Sequence, residues 1–337
     1  MNDTVGRTTF NYSAQAQALQ AEIILALIQQ EMRDTTDTLY LFIDPVPFLH
    51  ADGHPFRDAL INHKPRSVKQ PHKRIAVEDY PWLLTLDLAK EEDLALLRQS
   101  IVFALAEIHP EPLCRGAGRG LCGWLTSPHD GETVAKQLGA TAIQTRMDRT
   151  QILMRYHDPA VHSLLWPQLF KFRQKRLMGV LSRWIFVDGD GQPVMRRHRA
   201  DRNPHFTYEL GLLPEQVAFI VNDIGIINRA LRRYRRLRTD KARYPELYAA
   251  SLVSAALARR QDHPAFSDEE QKEDLAFHIL YNHPLIDCHP KIDYLLDVDT
   301  YPNGATWKAR TESIPDSLWQ QYAHDCEQQF TGENEKR

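Results

Sequence analysis

Cysteine is scarce in this chain, with four in 337 residues: Cys114, Cys122, Cys288 and Cys326. Such sparse and irregular spacing excludes a disulfide framework and suits a reducing compartment. Long apolar runs are missing too, and none approaches the roughly eighteen residues that mark a membrane span. The opening residues MNDTVGRTTFNYSAQAQ hold neither a basic leader nor an apolar core. No secretory signal is therefore expected, and the expected location is the cytoplasm. Net charge is also small, at −3, which excludes a strongly basic protein but is silent about local patches. There is no internal repeat and no low-complexity tract. What remains is ordinary globular material, 43% hydrophobic and 25% charged, in a chain long enough to favour two domains.

The pattern along the first 200 residues alternates helices with strands. Ser13 is placed to cap a helix in which Leu19, Ile23 and Leu27 recur at four-residue spacing. LYLFID at Leu39 to Asp44 reads as a buried strand that Pro45 stops. KRIAV at Lys73 to Val77 and WLLTLDL at Trp82 to Leu88 are further strand candidates. Glu91 to Ile108 returns to the helical period, with Leu94, Leu97, Ile101, Leu105 and Ile108 on one face. GWLTSP from Gly123, a short helix over Gly131 to Leu138, and a strand ILMRY at Ile152 to Tyr156 follow. DPAVHSLLWPQLF reads as helix, break, helix, and RWIFVDGDGQPVMRR as two strands joined by a turn at Asp188 to Gly191.

Beyond about Asn203 the pattern turns helical. Pro214 opens a long helix with Val217, Ile220, Ile224, Ile227, Leu231 and Tyr234 on its apolar stripe. Tyr244 to Arg260, Asp268 to Tyr281 and Pro315 to Gln329 are further helices, with DYLLDVD a short apolar segment before the last. The expected fold is α/β, a mixed sheet with helical cover followed by a mainly helical domain. The expected boundaries are an α/β domain over 1–202 that includes the N-terminal helix, a helical domain over 203–330, and a frayed tail over 331–337.

Cys114 and Cys122 lie eight apart, and Cys288 adjoins His289, but no pair has zinc-knuckle spacing. His278, His283 and His289 lack the HExxH pattern and read as surface or capping histidines. No metal and no cofactor is expected. Asp188-Gly-Asp-Gly is continued by Gln192 and Pro193, which suits a hairpin turn and not a calcium loop. GAGRG at Gly116 to Gly120 lacks the Gly-Lys-Ser/Thr of a phosphate loop and follows prolines where a dinucleotide fold needs a strand. Ser127 and Ser163 sit in no nucleophile elbow. Asp287, Asp293, Asp297 and Asp299 could serve a hydrolase only if a cleft raised one carboxyl's pKa, and otherwise form a solvated acidic surface.

Charge is unevenly spread. Residues 171–243 carry 17 Lys/Arg against 7 Asp/Glu, and residues from 262 onward carry 6 against 16. The two poles can meet within the molecule or steer a partner. RALRRYRRLR at Arg229 to Arg238 invites a nucleic-acid reading, since arginines neutralise phosphates and Tyr234 could stack. Leu231, Tyr234 and Leu237 continue the buried stripe, however, and guanidinium groups suit carboxylates equally well. Arg232, Arg233, Arg235 and Arg236 are thus candidates for an acidic protein surface. Trp82, Trp124, Trp166 and Trp184 lie in apolar runs, where core packing competes with anchoring a partner.

LYLFIDPVPF, EDYPWLLTLD from Glu78, GWLTSP, RYHDPAV from Arg155 and RWIFVDGDG occur in an order that resembles the formerly uncharacterised domain of bacterial type VI secretion adaptor proteins, also called effector chaperones. The resemblance covers Leu39 to about Gly191, and the LLPEQVAFI helix with a helical tail fits the family's layout, which implies that the helical region over 203–330 makes cargo-specific contacts. It implies a non-enzymatic protein that binds a secreted effector and helps load it onto the spike of the secretion machine. Its partners would be effector and spike proteins, with no nucleic acid, membrane or small-molecule substrate. Mapped onto this sequence, it makes Tyr40, Asp44, Trp82, Trp124, Arg155 and Asp158 candidate partner contacts. Asp44 and Asp158 each precede a proline, where a carboxylate also caps a turn or a helix. Pro45 stands where the family often has glycine, so a stiffer turn is expected there.

Overall fold

A computed structural model of the chain describes residues 7–8, 11–48, 55–70, 72, 75–114, 118–200, 209–239, 242–266, 268–296 and 306–334. Its packing divides the chain into two compact units, Asn11–Ile220 and Met1–Phe10 with Val221–Arg337.

The larger unit begins with α1 (Ala14–Arg33), β1 (Thr38–Ile43), α2 (Pro55–Asn62), β2 (Arg66–Ser67) and β3 (Trp82–Leu86). It continues through α3 (Glu91–Glu107), α4 (Pro110–Cys114), β4 (Leu121–Ser127), α5 (Gly131–Thr141), β5 (Ile143–Thr145) and β6 (Gln151–Leu153). It closes with α6 (Pro159–Leu165), α7 (Lys171–Met178), β7 (Arg183–Val187), β8 (Pro193–Arg197) and α8 (Pro214–Ala218). Six strands form one sheet in the order β2-β3-β1-β4-β7-β8, while β5 and β6 form a separate hairpin. All pairings in the six-stranded sheet are antiparallel.

β1 lies in the middle and is buried from Leu39 to Ile43. Its odd-numbered residues Leu39, Leu41 and Ile43 join Ile24 and Ile28 of α1, Leu60 of α2, Leu97, Ile101 and Leu105 of α3, and Trp124 and Ile185 of the neighbouring strands. Its even-numbered residues face the opposite layer. There Phe42 meets Trp184 and His157, and α5 and α6 pack against the sheet. Helices therefore cover both faces, which is why the central strands read as continuous apolar runs and not as alternating ones. The register slips between Phe42 and Ile43 opposite Gly123. Gly123 has φ +140°, and a Cβ there would stand 2.5 Å from the Ile185 carbonyl oxygen, so only glycine fits.

Local signals account for most element starts. The Ser13 hydroxyl accepts the Ala16 N–H at 3.3 Å to cap α1, and Asp130 accepts the Thr133 N–H at 2.8 Å to cap α5. Asp188 receives the N–H groups of Asp190 (2.9 Å) and Gln192 (2.8 Å), closing the β7–β8 turn expected at that position.

Some expectations are corrected. The buried stripe of α1 is Ile24, Leu25 and Ile28, while Leu19 and Ile23 are 66% and 47% exposed. Both stripes share the helical period, and only packing on α3 distinguishes them. KRIAV is no strand over its described part, because Val77 opens a 3-10 turn, Val77–Asp79; Lys73 and Arg74 lie outside the described residues. Ile152 and Leu153 are the only residues of ILMRY that stay in a strand. β2 and β5, of two and three residues, are too short to leave a periodic signal.

The helical unit holds α9 (Ile224–Leu237), α10 (Glu246–Arg259), α11 (Glu269–Tyr281), α12 (Pro290–Leu296), α13 (Trp307–Thr311) and α14 (Asp316–Asn334). α9 packs on α10 and α11 through Ile224, Ile227, Leu231 and Tyr234. The expected single helix from Pro214 is interrupted by a π-helical turn, Phe219–Asp223. The division between units falls within it, beyond the composition break at 202/203. Thr8 belongs to the helical unit, exchanging two backbone hydrogen bonds with Arg243 at 2.7 and 2.9 Å. The expected fraying from 331 does not hold for Thr331 to Asn334, which complete α14.

Trp124 is fully buried and its indole N–H donates to Ser100 Oγ at 2.9 Å. We expect Trp124→Ala to lower unfolding free energy by about 3–5 kcal/mol, as for other buried aromatics truncated to alanine. Urea titration checks this, and a loss close to zero would mean that the ring is not part of the core.

Candidate functional site

Asp44 ends β1 at a buried polar junction. Its N–H donates to the Gly120 carbonyl at 2.7 Å, and Oδ1 accepts the Val46 N–H at 3.1 Å, bracing the turn around Pro45. Arg155 Nη2 donates to Oδ2 at 2.5 Å, and His157 Nε2 lies 3.7 Å from the same oxygen. Burial opposes the Asp44 charge, but the neighbouring His157 and Arg155 and the Val46 N–H outweigh it and hold the carboxyl below its usual range. Asp158, three residues after Arg155, caps α6 by accepting the Ala160 N–H at 2.9 Å.

Glu107 at the end of α3 completes the junction. Its carboxylate accepts the N–H groups of Gly120 and, at 2.9 Å, of Leu121, fixing the entry to β4. Burial is the largest influence on it and pushes its pKa up to about 7, against the pull of those two N–H groups and the Arg119 charge. Arg119 itself donates to the Val187 carbonyl. The Cys122 thiol is fully buried, and burial followed by the charges of Asp44 and Asp158 pushes it well above its ordinary value. It therefore stays protonated, unsuited to nucleophilic attack. Within this junction each carboxylate is committed to backbone N–H groups or to a cation. Arg155, half exposed at 49%, presents its outer side to solvent.

The structure thus brings Asp44 and Arg155 together and places Asp158 beside them in the chain as a cap. Tyr40 is buried and its hydroxyl donates to the His129 carbonyl at 2.6 Å, so it holds the start of α5 and is closed to a partner. Trp82 is partly buried against the sheet core. Trp124 lies wholly within that core, which corrects its candidacy as a surface anchor.

The arginines of α9 also find internal carboxylates. Arg229 pairs with Glu269 and Glu273, both at 2.7 Å, and Arg233 with Asp274 at 2.9 Å while lying 3.7 Å over the Phe277 ring. Arg235 and Glu246 form a buried pair at 2.5 Å. Arg232 and Arg236 are engaged as well. The expectation that these side chains serve a partner is corrected for Arg233 and Arg235, whose charge is used within the helical unit. Asp287 is likewise no part of a solvated acidic surface. It is fully buried between Arg259 at 2.7 Å and Arg260 at 3.2 Å, and Arg260 also reaches Asp293 at 2.9 Å. Asp297 and Asp299 lie outside the described residues. His283 and His289 accept backbone N–H groups two residues on, both at 3.2 Å, as capping histidines do.

A groove of about 470 Å³ opens beside the sheet edge, lined by Arg66, Lys69, Glu132, Ala135, Lys136 and Ala140 together with Ser67. Sequence reasoning missed it because its cations come from two segments separated by more than sixty residues. Glu107 and His157 were missed too. Glu107 sat inside a helical period, and nothing in its spacing marks an inward-turning carboxylate.

No protein-family model, curated protein or solved structure matches this chain. No described helix is long and apolar enough to cross a membrane. Among the described residues, no group of three or more His, Cys, Asp and Glu is arranged to hold a metal ion.

Two predictions arise from this geometry. Arg235→Met removes the guanidinium from the buried Glu246 and should cost about 3–5 kcal/mol, whereas replacing both members by apolar residues should cost much less. Chemical denaturation of the two single variants and the double variant measures the coupling; additive losses would show that the pair does not act as a unit. The second concerns pH. Between the ordinary glutamate value of 4.5 and about 7, the folded chain keeps a proton on Glu107 that the unfolded chain has released. This group therefore makes stability fall as pH rises through that window and level off above it. His162, buried and held neutral with a pKa of about 3, acts oppositely, its share of stability rising from about 3 to 6.5. Urea midpoints across this range should give a wild-type-minus-Glu107→Gln difference that declines up to about pH 7, the His162 contribution cancelling. A flat difference would rule out the raised pKa.

Proposed function

We propose that the chain is a non-enzymatic cytoplasmic adaptor that binds a type VI secretion effector and helps load it onto the spike. The observation that carries this reading is the convergence of the segments with the family's order. LYLFID, WLLTLD, GWLTS and RWIFV, scattered over 150 residues, supply β1, β3, β4 and β7 of one sheet. RYHDPAV delivers Arg155 to the end of β1, where it meets the Asp44 of the first segment. Motifs that meet in one framework are the expected mark of a shared scaffold. Such a scaffold leaves recognition to its edges and loops.

Partner recognition in this proposal belongs to the α/β unit. Steering by the α9 arginines is not part of it, since reversing Arg233 or Arg235 would first break ion pairs that hold the helical unit together. A specific complex of standard size would bury about 1,600 Å², so the exposed side of Arg155 would be one contact among many.

Affinity capture of the tagged full-length chain from its native cell, followed by identification of co-purifying proteins, tests the proposal. A spike component or one large toxin should recur, and both should be lost together when the tag is placed on an unrelated protein. Recovery of the chain without a protein client, or turnover of a small molecule that one buried polar substitution abolishes, would overturn it.

A further inference from the structure

We infer that the groove between β2 and α5 takes an acidic, extended segment of a partner polypeptide, added as a strand along the outer edge of β2. The inference rests on the adaptor reading for the existence of a partner and adds the partner's chemistry and docking mode.

The backbone argument comes from register. β2 pairs with β3 through Arg66↔Leu83 and Ser67↔Trp82, and the Val68 N–H donates to the Pro81 carbonyl at 2.7 Å. Hydrogen-bonded pairs alternate along an antiparallel ladder. Arg66 and Val68 thus turn their backbone groups toward β3, and Ser67 turns its N–H and C=O outward from the sheet. β2 is terminal in the strand order, so among the described residues this outward edge has no strand beside it. An open edge of this kind is a template for another extended chain.

The side-chain argument comes from the groove wall. Arg66 opposes Leu83, which opposes Phe42, so all three project to the face that α5 covers. There the lining sets Arg66, Lys69 and Lys136 against a single carboxylate, Glu132. Arg66, Lys69 and Lys136 are all exposed. Asp130, committed to capping α5, also feels the Arg66 charge. Ala135 and Ala140 keep the wall low. At Gly139 the α5 backbone comes so near Lys69 that a Cβ would stand 2.0 Å from the Lys69 carbonyl oxygen, which closes one end of the groove. A strand seated on β2 would point every second side chain into this basic wall. Carboxylates at alternate positions would meet the cations, and lysines there would be repelled. A charged edge also discourages indiscriminate pairing, so the same cations that select an acidic segment exclude basic and neutral ones.

The test uses the full-length chain and a fluorescein-labelled octapeptide of alternating glutamate and threonine, read by fluorescence anisotropy at low salt. Controls are the lysine–threonine counterpart, the same acidic peptide N-methylated at alternate backbone positions, and an oligothymidylate. The acidic peptide should bind, the basic peptide should not, and N-methylation should weaken binding. The exposed substitution K69E should weaken the acidic peptide by about tenfold while leaving thermal unfolding unchanged. Affinity unchanged by that substitution overturns the inference, as does equal binding of the acidic and basic peptides. So does an oligothymidylate that competes with equal strength, which would make the site a reader of phosphate. If the acidic peptide fails to bind while a client is still captured from cells, the groove assignment falls and the adaptor reading stands. Binding of the peptide with the expected selectivity, alongside a chain that captures no client, supports the groove and removes the adaptor.

Discussion

Burial of β1 on both faces is the constraint from which the α/β unit follows. Five consecutive residues, Leu39 to Ile43, are removed from water, and a strand sends successive side chains to opposite sides. One helical layer can satisfy only half of them. The α1–α2–α3 layer takes Leu39, Leu41 and Ile43, and the layer containing α5 and α6 takes the rest. Flanking strands must then lie on either side to pair the backbone groups of β1, which are equally cut off from water. β3 and β4 do so along almost its whole length.

Where β1 leaves the core, polar groups take over, and the same principle of complete pairing operates. Asp44 is too deep to remain charged without partners, and it acquires a cation, an imidazole and a backbone N–H. Glu107 has no ion pair among the described residues and satisfies its carboxylate with two N–H groups at the start of β4. One carboxyl is therefore driven down and the other up, although they serve neighbouring strands. Both tie loops to the sheet end, while the outer side of Arg155 and the basic groove at β2 stay exposed.

The helical unit shows how charge that looks available in one dimension is consumed in three. The α9 arginines alternate with an apolar stripe, the usual pattern of a solvated amphipathic helix. α10 and α11 bring Glu246, Glu269, Glu273 and Asp274 against them. The buried Arg235–Glu246 pair adds little net stability, because desolvation of both ions offsets most of their attraction.

The sequence alone determined the kind and order of most elements, because those depend on local periodicity and caps. Ser13, Asp130, Asp268 and the Asp188 turn act within four residues of themselves, and the apolar runs at Leu39 and Trp184 mark strands wherever they are placed. Tertiary structure alone decided which of two helical stripes on α1 is buried, that the sheet pairings are antiparallel, and that Trp124 is core while Arg66, Lys69 and Lys136 share a wall. It also set Asp44 on Arg155, 111 residues away. These outcomes depend on which distant surfaces meet, and a side chain's spacing from its sequence neighbours carries no record of the partner that will cover it.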